Sequence, residues 1–271
     1  SLDSFKPQEL SNTALAFAKA GESHPKLFQK IGDHIAGLDS LESFDPQALS
    51  NTAWAFATAG VSHPELFKKI GDHIAGLNSL DSFKAQALSN IAWAYSVANV
   101  PSEGLFNECF AGACSSKEET FPEEELRQLH QWQLWQQELK SGMELPHSLK
   151  EKCRNAFISS SYSESKLQND VVDELKAIGL DLEVEVLLES GYRVDALVKF
   201  SDGGKLVVEV DGPSHFIERR PTGSTTLKHR QVGKLDRIEV VSVPHWEWKE
   251  LKNSETKQHY LHEKLGCDKD H

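Results

Sequence analysis

Three carboxylates in the last third of the 271-residue chain have the types and spacing that hard-cation chemistry needs. Asp195 stands inside the apolar run YRVDALV, and Glu209 and Asp211 flank Val210 in VVEVDG. Alternate residues of a strand point to one face, so an extended VVEVDG puts Glu209 and Asp211 on the same side. If the strand of Asp195 pairs with theirs as a hairpin, all three sets of oxygens converge. Converging carboxylates repel unless a cation neutralises them, and an all-oxygen ligand set suits Mg2+ or Mn2+. Such an ion activates a water and supports in-line phosphoryl displacement. Asp195, Glu209 and Asp211 are therefore the expected metal ligands. A short turn beyond them, His215 in DGPSHF has the chemistry of a general acid or base, or of a phosphate-binding imidazolium. It is equally read as a turn residue that fixes its loop.

The elements that would carry these groups are legible in the surrounding pattern. SKLQNDVVDELKAIGL (165–180) places Leu167, Val171, Leu175 and Ile178 on one helix face, and Gly179 ends it. LEVEVLL (182–188), GYRVDALVKF (191–200) and KLVVEVDG (205–212) alternate as strands do, with Asp202-Gly203-Gly204 as a hairpin turn. A helix is expected around Thr225–Leu235, a strand in RIEVVSV (237–243) and a closing helix from Glu255 to Leu265. The order α-β-β-β-α-β-α predicts a small α/β sandwich. His245, Trp246 and Trp248 in PHWEW read either as base-stacking groups or, more simply, as packing against the sheet.

The first half of the chain repeats itself. Phe5 opens FKPQELSNTALAFA, Phe44 opens FDPQALSNTAWAFA and Phe83 opens FKAQALSNIAWAYS, 39 residues apart each time. SHPKLFQKIGDHIAGL from Ser23 recurs as SHPELFKKIGDHIAGL from Ser62 at the same spacing. Each unit reads as a helical hairpin that cannot bury its apolar face alone, so stacked units are expected. A decayed fourth unit carries Leu126, Leu129, Trp132 and Trp135. Gln8, Gln47 and Gln86 recur, as do Asn12, Asn51 and Asn90, each directly after a serine. An amide at one place in every unit reads either as a base-edge contact along a single strand or as a bond between neighbouring repeats. The recurring His24, His34, His63 and His73 read as cap or surface residues. The fold expected is an α-solenoid of period 39 over residues 1–145, a linker over 146–164 and the α/β domain over 165–271.

PQxLSNTAWAFA at this period resembles the octotricopeptide-type repeats of organellar RNA-binding proteins. SKLQNDVVDELKAIGL, GYRVDALV, VVEVDGPSHF, the basic TLKHRQ and VVSVPHWEW together resemble the RAP domain of organellar RNA-metabolism factors. That domain in turn is similar to the PD-(D/E)XK nucleases, nearest the very-short-patch-repair endonucleases. The resemblance implies a restriction-endonuclease-like fold, an organellar location in mitochondrion or chloroplast, single-stranded RNA and other RNA-metabolism proteins as partners, and a metal-dependent endoribonuclease site. On it Asp195 takes the place of the motif aspartate and Glu209 that of the motif acid. Asp211 stands where many of these nucleases carry lysine, so Lys205, Lys228 or His215 would have to supply the missing positive group.

Charge refines the reading. The net charge is −12, which opposes a nonspecific polyanion binder. No arginine precedes Arg127, whereas Arg219, Arg220, Lys228, Arg230, Lys234 and Arg237 crowd into one stretch, where phosphate contacts are expected. Hydrophobic and charged fractions of 39% and 26% describe an ordinary soluble globular chain. No apolar run approaches the roughly 18 residues of a membrane span, so no membrane partner is expected. Cys109, Cys114, Cys153 and Cys267 form no CxxC pair and read as incidental thiols. Three functions stay open: a binding factor in RNA processing and maturation, an RNA endonuclease, and a protein scaffold with an inert nuclease-like fold.

Overall fold

A computed structural model describes residues 2–22, 24–159 and 165–266 of the chain. Cys267, Ser23 and residues 160–164 of the expected linker lie outside the described residues. The chain divides into two compact units, Ser1–Phe157 with Ile217–Leu227, and Ile158–Phe216 with Lys228–His271.

The first unit is helical: α1 (Pro7–Ala20), α2 (Pro25–Ala36), α3 (Pro46–Thr58), α4 (Pro64–Ala75), α5 (Ala85–Ala98), α6 (Glu108–Ser115), α7 (Glu123–Leu139) and α8 (His147–Ile158). A proline begins each of the first four, where its missing N–H costs no helical bond. Asp45 caps α3 by accepting from the Ala48 N–H at 2.7 Å, and buried His63 caps α4 by accepting from Leu66. The first helices of successive repeats stack α1 on α3, α3 on α5 and α5 on α7, and α2 packs on α4. Apolar residues recurring at 39 form the core, among them Leu10, Leu49 and Leu88, with Phe28 edge-on to Phe56 and Phe67 to Tyr95. The recurring glycine of GDHI makes room for the next unit. A Cβ on Gly32 would lie 2.3 Å from the His63 ring, and one on Gly71 would lie 3.0 Å from the Tyr95 hydroxyl.

Two expectations about boundaries change. The stretch 146–164 is not simply a linker, because α8 occupies much of it and buries Leu149 and Cys153 in the helical core. Residues 217–227, expected within the α/β domain, pack with the helical unit. Ile217 and Leu227 join its core, and a Cβ on Gly223 would lie 2.1 Å from the Ala57 carbonyl oxygen.

The second unit holds α9 (Lys166–Ala177), β1 (Asp181–Leu187), β2 (Arg193–Lys199) and β3 (Lys205–Asp211). Past the short β4 (Phe216–Ile217) and β5 (Arg220–Pro221) come α10 (Gly223–Gln231), β6 (Glu239–Pro244), α11 (His245–Glu250) and α12 (Ser254–Leu265). The sheet runs β1-β2-β3-β6, antiparallel except for the parallel β3–β6 pair. Ala196 faces Val208 across β2 and β3. Ala196, Val198, Val208 and Val210 point into one core with Val171 and Leu175 of α9 and Leu261 of α12. By the strand's period of two, Asp195, Glu209 and Asp211 point to the opposite face. The expected order of elements is recovered, with β4, β5 and α11 in addition.

Candidate functional site

On that opposite face the acids sort into two groups. Glu209 is 2% exposed and takes the Lys228 ammonium of α10 on Oε2 at 2.6 Å. Its Oε1 is buried with no hydrogen-bond partner. Asp195 Oδ2 accepts the Val210 backbone N–H at 2.7 Å, where the β2–β3 ladder has ended. Glu185 adds a carboxylate on the neighbouring strand. Its backbone has φ of +58°, and pairing between β1 and β2 lapses there, while Val184–Ala196 and Val186–Val194 keep one register on either side and leave Glu185 opposite Asp195. It accepts a hydrogen bond from the Gln168 amide of α9 and leaves Oε2 buried and unpartnered. Asp211, 1% exposed, belongs to the second group. Its Oδ1 meets His215 Nδ1 at 2.7 Å, its Oδ2 accepts from the Ser242 hydroxyl, and His229 Nε2 stands 3.9 Å away.

Burial and partners set the protonation of each group. Burial pushes Glu209 up to about 7, despite the Lys228 ammonium, and raises Asp195 against the opposing Val210 N–H and Lys228. Burial also acts on Asp211, yet hydrogen bonds from His215 and Ser242 hold it below the usual carboxylate range. The bond to Asp211 raises His215, and burial lowers His229.

These environments bear on the expected metal centre. Asp195, Glu209 and Asp211 do share a face, but Glu209 and Asp211 are walled off from water. Asp211 spends both oxygens on His215 and Ser242, and the Lys228 ammonium stands where a cation beside Glu209 would. In this arrangement the three carboxylates do not converge on one open cation position. Among the described residues no group of three or more His, Cys, Asp or Glu side chains is arranged to hold a metal. Of the basic residues considered for the missing lysine, Lys228 is the one that reaches the motif acid, while His215 serves Asp211. Sequence reasoning missed Glu185 and Ser242. Glu185 alternates with valines as a solvent-facing strand residue would, and Ser242, though inside VVSVPHWEW, is a single small polar residue in an otherwise apolar strand.

The other expected residues are spread over both units. Arg219 and Arg220 are exposed in the segment that packs with the helical unit, whereas half-buried Arg230 belongs to the sheet unit. These arginines therefore belong to different units. In the helical unit, Ser11, Ser50 and Ser89 each donate to a carbonyl three residues back, those of Gln8, Gln47 and Gln86. Gln8 bonds across to Asp45 of the next repeat at 3.2 Å. Asn12, on α1, is exposed, and Asn51 on α3 and Asn90 on α5 are half-buried. Their amides bond no other described residue. One turn on, Trp54 and Trp93 of the second and third repeats stand 6.1 Å apart, where the first repeat has Leu15.

Residues 208–264, which span Glu209 to α12, match the family model of the RAP domain. The chain carries a RAP domain. Over 106 residues it is also 34% identical to a chloroplastic RAP domain-containing protein of Oryza sativa subsp. japonica. That match covers 38% of this chain and 16% of the relative, so the chain spans about a sixth of the curated relative it matches. The matched stretch begins inside β3 and takes in Glu209, Asp211, His215 and Lys228. Among the described residues no helix is long and apolar enough to cross a membrane.

Proposed function

We propose that the chain is an RNA-binding factor of organellar RNA processing and maturation, its helical repeats engaging single-stranded RNA and its RAP domain adding a second contact. The observation that carries this reading is the side-chain amide at Asn12, Asn51 and Asn90, bonded to no other described residue on the first helices of three successive repeats. An amide presents a donor and an acceptor together, the pairing that a base edge answers. The RAP family is linked to organellar RNA binding, and the rice relative's name places that protein in the chloroplast. Arg219, Arg220 and Arg230 are the phosphate contacts this reading assigns in a chain of net charge −12. Anisotropy of a labelled single-stranded RNA tests the reading. Affinity is expected to fall with salt, and Asn51→Ala to weaken it by about 1 kcal/mol for a lost hydrogen bond. Capture of proteins without affinity for any RNA would instead make the chain a scaffold.

A second reading, cleavage of RNA on a nuclease-like fold, has one observation in its favour. Lys228 reaches Glu209 and so completes the set Asp195, Glu209 and Lys228 that the PD-(D/E)XK resemblance asks for. Cutting of labelled RNA with Mg2+ or Mn2+ by wild type, lost in Asp195→Ala, would establish it. Equal cutting by both proteins would mark contamination.

A further inference from the structure

The C-terminal ends of β3 and β6 gather aromatic rings that the core does not use. Asp211 pairs with Pro244 across these parallel strands, so the chain leaves both of them at the same place. His215 and Phe216 follow from β3, and His245 and Trp246 follow from β6. The Phe216 and Trp246 rings lie 4.3 Å apart, edge to face, and His245 stands 5.2 Å from Trp246. All four side chains are half-buried, whereas Trp248, two residues on, is sealed into the core and donates to Asp170. Packing accounts for Trp248. It does not account for a part-exposed aromatic group at a strand end.

Two polar features point at a ligand. His215 is 42% exposed at its side chain and is oriented from behind by Asp211, which the Ser242 hydroxyl holds in turn. His245 keeps Nδ1 buried without a partner. Crevices outside the carboxyl ends of parallel strands are where open α/β sheets bind ligands. Aromatic rings take a nucleobase by stacking, and an imidazole beside them takes the phosphate. Neither a lipid surface nor a metal ion would use both.

We propose that this strand-end cluster holds one unpaired nucleotide of an RNA strand, with its base on Trp246 and Phe216 and its phosphate on His215. The assignment rests on the RNA-binding reading above and gives the RAP domain its own contact, separate from the repeats. The bond to Asp211 raises the His215 pKa, with Glu209 adding and burial and Lys228 opposing, which favours the anion-binding form.

The probe is a short single-stranded RNA carrying 2-aminopurine at one position at a time, read by anisotropy for affinity and by 2-aminopurine quenching for stacking on the full chain. Wild type is expected to quench one position strongly. Trp246→Ala should lose that quenching and weaken binding roughly 5- to 150-fold, the span of base–aromatic stacking, while Trp246→Phe, which keeps a ring, retains most of both. His215→Gln should keep the quenching and lower the salt slope by about 0.7, one phosphate contact on a single strand. Asn51→Ala should weaken binding and leave the quenching intact. Wild type that binds RNA with no position quenched, or Trp246→Ala indistinguishable from it, overturns the assignment while leaving the RNA-binding reading in place. Wild type with no affinity for any RNA overturns both. If Trp246→Ala does not fold, wild-type quenching and Trp246→Phe still decide.

Discussion

Glu209 is an acid that folding makes weaker, and its environment has a measurable consequence. Its pKa stands near 7 in the fold against 4.5 in the open chain, so the folded protein binds the extra proton between those values. Stability from this group is full below about pH 4.5 and is lost as pH rises toward 7. Urea denaturation from pH 5 to 8 should show a fall that is shallower in Glu209→Gln. Equal slopes would contradict the assignment of burial as the cause. Asp211 has the opposite sign: a depressed carboxyl stabilises above its ordinary pKa and loses that contribution as pH falls through the folded value. Asp211→Asn removes the charge that raises the His215 pKa, so that pKa should drop in an NMR titration. An unchanged value would show that Asp211 does not set it. At this scale the sequence exposed the acids and their shared face, because period two is a backbone property. Their partners were hidden. Lys228 and Ser242 reach Glu209 and Asp211 from separate elements, across 19 and 31 residues of chain.

Among the elements, α1 to α5 are legible because one spacing carries their caps, their glycines and their apolar stripe together. Asp45 caps α3 and also accepts from Gln8 of the preceding repeat. Asp45→Ala should cost about 1 kcal/mol from the cap, visible as a lower urea midpoint with an unchanged slope. No loss would mean that the cap is idle. The segment 217–227 resisted reading for the opposite reason. Its residues are polar and aperiodic, and what places it is the absence of a side chain at Gly223, where backbone meets the Ala57 carbonyl. Gly223→Ala should destabilise by roughly 1–3 kcal/mol, the range for overpacking, whereas Gly233→Ala meets nothing within 4 Å and serves as the control. Equal midpoints for the two variants would show that the close approach is not required.

At the scale of the whole molecule, a repeat array and a RAP domain are joined in one acidic chain, and neither half by itself defines its task. The array offers amides one repeat apart. The RAP domain offers an ion-paired acidic face and an aromatic strand end. Resemblance carried the reading to RNA, and geometry then changed the picture of the acids, burying Glu209 against Lys228 and Asp211 against His215. Period and motif cannot reveal that change, because desolvation depends on what covers the sheet. One titration bears on the whole account: labelled single-stranded RNA against the full chain, first in chelator and then with Mg2+ or Mn2+. Saturable binding in chelator, steep in salt, with the RNA intact after metal is added, is the predicted result. No binding, or metal-dependent cutting that Asp195→Ala abolishes, would contradict it.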